Sequence, residues 1–356
     1  MSENLIKGVA YHGNRMITHV REDMQDIAAS GFNAVLHMFS HNDWDRHKKI
    51  MKEIFEITSY YGLDNWVDNW GLGGPPGDKS HFLSYHPEAH QVLSNGKISP
   101  VHVCFNSPAY VDFTKSWIDT VYDAGARKIF WDEPHMRDFN ENGERIWTCR
   151  CEACQKLFEE RYNMPMPTLF TKEVDEFRKW TITNYFQTVA SYAKEKGMYN
   201  SICVMFNDTQ NNTNFGVDLD SICSTPALDN IGSDPYWIEP SATFAKDYED
   251  VYKFVYEKTK WNLDVCKKFN KDHNIWLQTY SNPVGTEEEI IAAADAIYDC
   301  GARTIFAWGY RGSDANDYRS KAPDRTWYTT KAAFERISER HRNALREATM
   351  KKLGLK

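Results

Sequence analysis

Val121–Glu133 reads VYDAGARKIFWDE, and Ile297–Gly309 reads IYDCGARTIFAWG. Asp26–Phe39, DIAASGFNAVLHMF, follows the same plan. Each stretch ends an amphipathic helix, places a glycine, and then runs apolar. A glycine just past a helix takes the left-handed conformation that ends it. A continuous apolar run of four or five residues suits a strand buried on both faces of a parallel sheet. The three stretches are therefore read as helix-to-strand joints. Their recurrence along the chain predicts the α/β class with a (β/α)8 TIM-barrel architecture.

Eight strands follow from the same pattern: Gly8–His12, Ala34–Phe39, Asn65–Trp70, Lys128–Asp132, Ser201–Phe206, Asn230–Asp234, Ile275–Tyr280 and Thr304–Trp308. Helices are expected between them, at Arg46–Tyr61, Pro108–Ala124, Val174–Lys196, Asp247–Phe269 and Glu287–Asp299, with a last helix after Ala332. Residues 1–356 read as one barrel domain. Gly71–Pro100, rich in Gly, Pro, Ser and His, reads as a long loop after a strand end, the place where barrel loops shape a site. The net charge of −8 comes with no long basic run, so nucleic acid and anionic membranes are excluded as expected partners. The most apolar stretches, Ile290–Ile297 and Arg303–Trp308, are too short to span a bilayer. Met1–Lys7 is polar and lacks a secretory core, so a cytoplasmic location is expected.

Among eight cysteines, Cys149, Cys151 and Cys154 form a C-x-C-x-x-C run in TCRCEACQKLF (Thr148–Phe158). Thiolates at such short spacing suit tetrahedral zinc, with one loop giving three ligands. The plainer alternative is three free thiols at a helix start. Spacing leaves the fourth ligand open, with Cys104 standing alone upstream. Cys203, Cys223, Cys266 and Cys300 read as buried small hydrophobes.

CFNSPAY (Cys104–Tyr110), the acidic strand end at Trp131–Pro134, and CRCEACQKLF (Cys149–Phe158) occur in that order. Together they resemble the barrel domain of the family 42 glycoside hydrolases, β-galactosidases of the GH-A clan. FAWGYRGS (Phe306–Ser313) is a weaker echo of the family's last strand. The resemblance implies a structural zinc with Cys104 as the fourth ligand, and Glu133 as the general acid/base. Two positions depart from it. Asp132 stands where the family has Asn, and Gln278 stands where the family has its nucleophilic Glu. The family's further domains have no counterpart after strand eight, so its oligomeric state is not carried over.

The residues support a sugar site on their own terms. A carboxyl at a strand's C-terminal end points into the barrel mouth, and a nearby ring such as Trp131 can raise its pKa by desolvation. Glycoside cleavage needs such a protonated donor beside the leaving oxygen. Since an amide at 278 cannot form a glycosyl ester, another carboxylate is needed. Asp234 is preferred, with Asp68 and Asp208 as further candidates, in an inverting reaction if the carboxyls are widely spaced, while Asp132 is read as a catalytic-site group that accepts a sugar hydroxyl or ligates a cation. Substrate-binding groups are expected at His12, Trp66, Asp68, Trp70, Trp131, Asp208, Tyr236, Trp237, Gln278, Tyr280, Trp308 and Arg311, because rings meet the C–H faces of sugars while carboxylates, amides and Arg meet their hydroxyls. About half of such rings only fill a core, and His12 and His37 are as readily structural. The expected function is hydrolysis of a small glycoside or oligosaccharide. The alternatives are a non-hydrolytic sugar enzyme (lyase, isomerase or metal-assisted) and a sugar-binding protein that has lost catalysis.

Overall fold

The structure, a computed structural model, describes residues 4–70, 82–204, 215–238 and 248–355. The elements in chain order are β1 (Ile6–Tyr11), α1 (Ile17–Ala29), β2 (Ala34–Met38), α2 (His41–Arg46), α3 (Lys48–Tyr60), β3 (Asp64–Asp68), α4 (Phe82–Tyr85), β4 (His90–Val92), β5 (Ile98–Val103) and α5 (Pro108–Ala124). They continue as β6 (Lys128–Trp131), β7 (Asp138–Glu141), β8 (Glu144–Trp147), α6 (Glu152–Tyr162), α7 (Lys172–Glu195), β9 (Tyr199–Cys203), α8 (Leu219–Cys223) and β10 (Asn230–Ser233). The last are α9 (Tyr248–Phe269), β11 (Asp272–Gln278), α10 (Glu287–Cys300), β12 (Thr304–Trp308) and α11 (Pro323–Lys352).

Eight strands close a barrel in the order β1-β12-β11-β10-β9-β6-β3-β2, and they are the eight expected from the sequence. The pairs are parallel, with register such as Gly8↔Ala34, Gly8↔Phe306 and Trp276↔Phe306. The joints behave as their sequence requires. Gly125 and Gly301 cap α5 and α10 at φ of 111° and 110°, the left-handed region that a side chain would strain.

The described residues pack as two compact units, one of Met1–Met38, Glu53–Trp66 and Asn230–Lys356, the other of Phe39–Lys52 and Val67–Asp229. In the first, Trp66 meets Phe306 edge-on at 5.0 Å, although β3 and β12 are not neighbours in the barrel. These rings therefore lie on the inward face. Trp276 packs on both Phe306 and Trp308 at 5.1 Å. A Cβ on Gly8 would sit 2.1 Å from the Phe306 ring, so only glycine leaves room for it. In the second unit, Trp131 turns outward instead, against Trp117 of α5 and Phe186 of α7.

The sequence reading misses two hairpins. The expected loop Gly71–Pro100 holds α4, a 3-10 turn at Pro87–Ala89 and the β4–β5 antiparallel pair, while 71–81 lie outside the described residues. The β7–β8 pair, with the turn Asn142–Gly143 at φ of 52° and 84°, carries the chain into the cysteine run. The helix expected at Arg46–Tyr61 is two, α2 and α3, because Ser40 and Asp43 form a capping box that starts α2 early. The final helix begins at Pro323, where proline suits a first helical turn.

Candidate active site and cysteine cluster

Cys104, after β5, joins Cys149, Cys151 and Cys154 in a buried cluster whose sulfurs all lie within 4.8 Å of one another. Cys104 Sγ is 3.3 Å from Cys154 Sγ and 3.6 Å from Cys151 Sγ. Four sulfurs at a zinc–sulfur distance near 2.3 Å would stand roughly 3.8 Å apart in a tetrahedron. The cluster is thus close to that size and could hold a metal ion. Donors already face the sulfurs: Val92 N and Cys151 N each lie 3.5 Å from Cys149 Sγ, and Asn106 Nδ2 lies 3.4 Å from Cys154 Sγ. Such outer hydrogen bonds favour thiolates and hold ligands in place.

Arg178 of α7 anchors the same loop. Fully buried, it donates from Nε to Thr148 O at 2.7 Å and from Nη1 to Asp138 Oδ2 at 2.8 Å. Arg145 donates to both Asp138 oxygens, at 2.9 and 2.7 Å. The sequence alone gives no signal for an arginine in a helix core. Of the remaining cysteines, Cys203, Cys223 and Cys266 are buried as expected, while Cys300 is half-buried.

In the same unit, β3 and β6 are barrel neighbours and end in carboxylates. Strand alternation puts Asp68 on the inward face with Trp66, and Asp132 inward because Trp131 points out. Asp68 is fully buried, and neither of its carboxyl oxygens has a hydrogen-bond partner among the described residues. Its pKa is driven well above the carboxylate range, first by burial and then by the charge of Asp132. Asp132, half-buried, is raised in turn by burial and by Glu133. Asn69, fully buried beside Asp68, also has both side-chain polar atoms without a described partner. Buried polar groups left in this state suit a ligand-binding position.

Glu133 sits at the chain reversal after β6 with φ of 31°, a strained value for a residue with a side chain. His135 Nδ1 lies 2.8 Å from Glu133 O and donates to it. The His135 ring faces His102 at 6.0 Å, and His102 is bonded to Ser99 of β5 at 2.7 Å. These histidines and Asn69 escaped the sequence reading. The signal for His135 and Asn69 is the short spacing in DEPH and VDNW; His102 has no such signal.

Several expectations about individual residues need correction. Trp131 does not desolvate the acids: it is fully buried on the helix side, with Nε1 donating to Asn200 Oδ1 at 3.1 Å. Trp66 is core, its Nε1 bonded to Asp64 at 3.0 Å. Asp208 lies outside the described residues. Trp70, half-buried, follows directly after the Asp68–Asn69 pair.

In the other unit, Gln278 ends β11 fully buried, and its amide is wholly committed. Oε1 accepts from Trp237 N at 2.7 Å and Ile238 N at 2.9 Å, and Nε2 donates to Ile238 O at 3.1 Å. It therefore pins the chain after β10. Trp237 is buried, its Nε1 donating to Glu289 at 2.8 Å. Asp234 is half-buried at the end of β10, and its carbonyl accepts from Tyr236 N. Tyr236 and Tyr280 meet edge-on at 5.1 Å, as do His12 and Trp308 at 5.0 Å. Burial, assisted by Arg15, lowers His12 to about 3, so it is neutral at pH 7. Burial and Arg15 likewise lower His37 to about 3, and its Nε2 bonds Thr58 Oγ1 at 3.0 Å on the helix side of β2. Arg311 departs most from expectation: it is exposed and ion-paired with Asp324 at 2.5 Å, at the start of α11.

No protein-family model matches the sequence, and neither does any curated protein. Solved structures do match in fold. The endo-1,4-β-mannanase of Rhizomucor miehei superposes with a TM-score of 0.63 at 10% identity, covering 94% of this chain and 95% of its own. The catalytic domain of the β-amylase of Paenibacillus polymyxa gives 0.62 at 10% identity, covering 94% and 99%. A Streptomyces cattleya GH5_18 protein, solved with GlcNAc, gives 0.60 at 13% identity, covering 95% and 80%. At such identities the likeness establishes the barrel fold.

Proposed function

We propose that this protein is a carbohydrate-active barrel enzyme, a glycoside hydrolase distantly related to family 42, whose acid/base group is the Asp68–Asp132–Glu133 row. One observation carries the reading: a fully buried Asp68, with both oxygens unpartnered among the described residues, next to an Asp132 whose pKa is also raised. Like charges on neighbouring strands hold a proton in common, so the pair titrates as a unit. A carboxyl kept protonated can deliver its proton to a leaving glycosidic oxygen. An ionised neighbour can orient water or steady the cationic sugar. Glu133, at the open end of the row, is the proposed donor to substrate, with Asp132 and Asp68 setting where the proton resides. Aromatic neighbours such as Trp70 would hold the sugar.

The four cysteines are proposed to bind zinc in a structural role. The all-sulfur set suits zinc, and it would tie β5 to the loop between β8 and α6.

A second reading has one observation in its favour. The Gln278 amide is consumed by the backbone, so β11 offers no carboxylate nucleophile at its end. A sugar lyase or isomerase needs proton transfer alone, and the acidic row supplies it.

The test is turnover of a panel of nitrophenyl glycosides by wild type, Glu133→Gln, Asp132→Asn and Asp68→Asn. Hydrolysis that falls by orders of magnitude in Glu133→Gln, with folding intact, supports the first reading. Interconversion or elimination of free sugars without hydrolysis supports the second. Unchanged turnover in all three variants overturns the acidic row.

A further inference from the structure

The second unit contains a cavity of about 470 Å³ walled by α2, α4 and the first turns of α5. Trp44, Phe82, Tyr85 and Phe113 supply its rings, and Asp45 and Asp112 its carboxylates. The rings brace one another: Phe113 meets Trp44 at 5.0 Å and Phe82 at 5.2 Å. Tyr85 behaves differently. It is 80% exposed, and no hydrogen bond or ring contact is recorded for it among the described residues. Of the cavity's other rings, Phe82 is buried and Trp44 and Phe113 are half-buried. A tyrosine held out on a four-residue helix beside a cavity is placed for a ligand rather than for the core.

A short stretch of chain links the cavity wall to the backbone of the acidic row. Phe39 N donates to Asp68 O at 2.8 Å, and His41 on the cavity wall is two residues further along the chain. Two residues span at most about 7 Å. Asp68 ends β3, and the α2 wall of the cavity follows β2, so both start from the C-terminal ends of neighbouring barrel strands, the end where barrel sites are built.

We propose that this cavity is a subsite for a neutral sugar unit of an oligosaccharide whose reacting bond lies at the acidic row. The chemistry selects the ligand class. Ring faces accept the C–H face of a pyranose, and carboxylates accept its hydroxyls. Asp45 and Asp112 outnumber the one cation recorded over the cavity's rings, Lys48, whose Nζ sits 3.7 Å over the Trp44 ring, so the lining disfavours uronic acids, sulfated sugars and phosphates. The volume lies within the usual range for small-ligand sites and exceeds what one small aglycone needs. The inference rests on the proposed carbohydrate activity, which it narrows from small glycosides to oligosaccharides.

The experiment has two arms. First, galacto-, manno- and cello-oligosaccharides of two to five units are titrated calorimetrically into the Glu133→Gln protein, with and without Tyr85→Ala or Asp112→Asn. Second, kcat/KM is measured for wild type and both variants across chain length. The subsite predicts that Tyr85→Ala weakens oligosaccharide binding at least fivefold. It also predicts that the kcat/KM advantage of longer over shorter substrates shrinks by a similar factor, with Asp112→Asn acting in the same direction. Tyr85 is surface-exposed, so its variant should fold as wild type. Unchanged binding and unchanged chain-length dependence in both variants overturn the subsite, as does binding by none of the oligosaccharides. Absence of turnover with every glycoside sinks the activity reading instead, and the titration arm still decides the subsite.

Discussion

Replacing Gln278 by Glu is expected to damage the protein without creating a nucleophile. The amide accepts two backbone N–H groups and donates to Ile238 O at 3.1 Å, with no exposure to solvent. A carboxylate keeps and strengthens the two acceptances, each by about 1 kcal/mol. It loses the donation, about 1 kcal/mol, and leaves the Ile238 carbonyl facing a charged oxygen, a further ~1–3 kcal/mol. Burying the charge costs several kcal/mol more. The balance is a loss of about 2–5 kcal/mol at pH 7, or roughly 3–7 °C in thermal midpoint for a chain of this size. Protonation reverses the effect, because a neutral carboxyl can donate to Ile238 O as the amide does. The folded-state pKa of the new Glu is thus raised above its unfolded value. Its penalty is absent below the unfolded pKa near 4.3 and grows as pH rises through the folded value. Thermal midpoints of Q278E and wild type, compared at pH 4.5 and pH 7.5, should differ little at the first and strongly at the second. A variant as stable as wild type at pH 7.5, or one that gains glycosidase turnover, refutes the clamp.

Three other expectations follow from the same geometry. The purified protein should hold about one zinc per chain, and Cys151→Ser or a strong chelator should release it and lower the thermal midpoint by on the order of 10 °C, with activity falling only as the fold is lost. Zinc-free protein of unchanged stability would remove the metal from the scheme. Arg178→Met should cost about 3–5 kcal/mol in urea unfolding, because it strands the buried Asp138 carboxylate and the Thr148 carbonyl; a cost below about 1 kcal/mol would mean that Arg145 alone satisfies Asp138. Asp68→Asn should match or exceed wild-type stability near pH 8. The Asp68 pKa is raised in the folded state, so its unfavourable charge is absent below pH ~4 and grows as pH rises through the folded value. The gain should therefore shrink toward pH 4, as urea midpoints across pH would report, while turnover is lost.

The barrel was legible because its signal is local and repeated. A helix end, a left-handed glycine and a short apolar run occupy a dozen residues, and Gly125 and Gly301 take the backbone angles that this pattern demands. The hairpins were not legible, because their signal is diluted. β4 has three residues and β7 four, and their buried positions carry Gln91 and Asp138 rather than alternating apolar groups. Those polar groups are satisfied at long range, Gln91 by Val103 O and Thr148, Asp138 by Arg178. A side chain that draws its stability from a partner tens of residues away leaves no local pattern to read.

The proposed site was legible only in residue type, for a related reason. Residue type and strand-end position nominated Asp68, Asp132 and Glu133, but type alone also nominated Trp131, Trp66 and Arg311. The alternation of a strand separates these groups. Once Trp131 is fixed outward by Trp117 and Asn200, Asp132 must face inward, and the acid closest to the ring in sequence lies on the opposite side of the strand from it. What raises the acids is therefore first their burial in the packed barrel and then the neighbouring charge, not an indole. The distinction matters for mechanism. A shift from burial alone survives loss of the neighbours, whereas the part that comes from repulsion is lost when either member is neutralised. Asp132→Asn should then shift the pH dependence conferred by Asp68 downward, a linkage that an isolated hydrophobic acid would not possess.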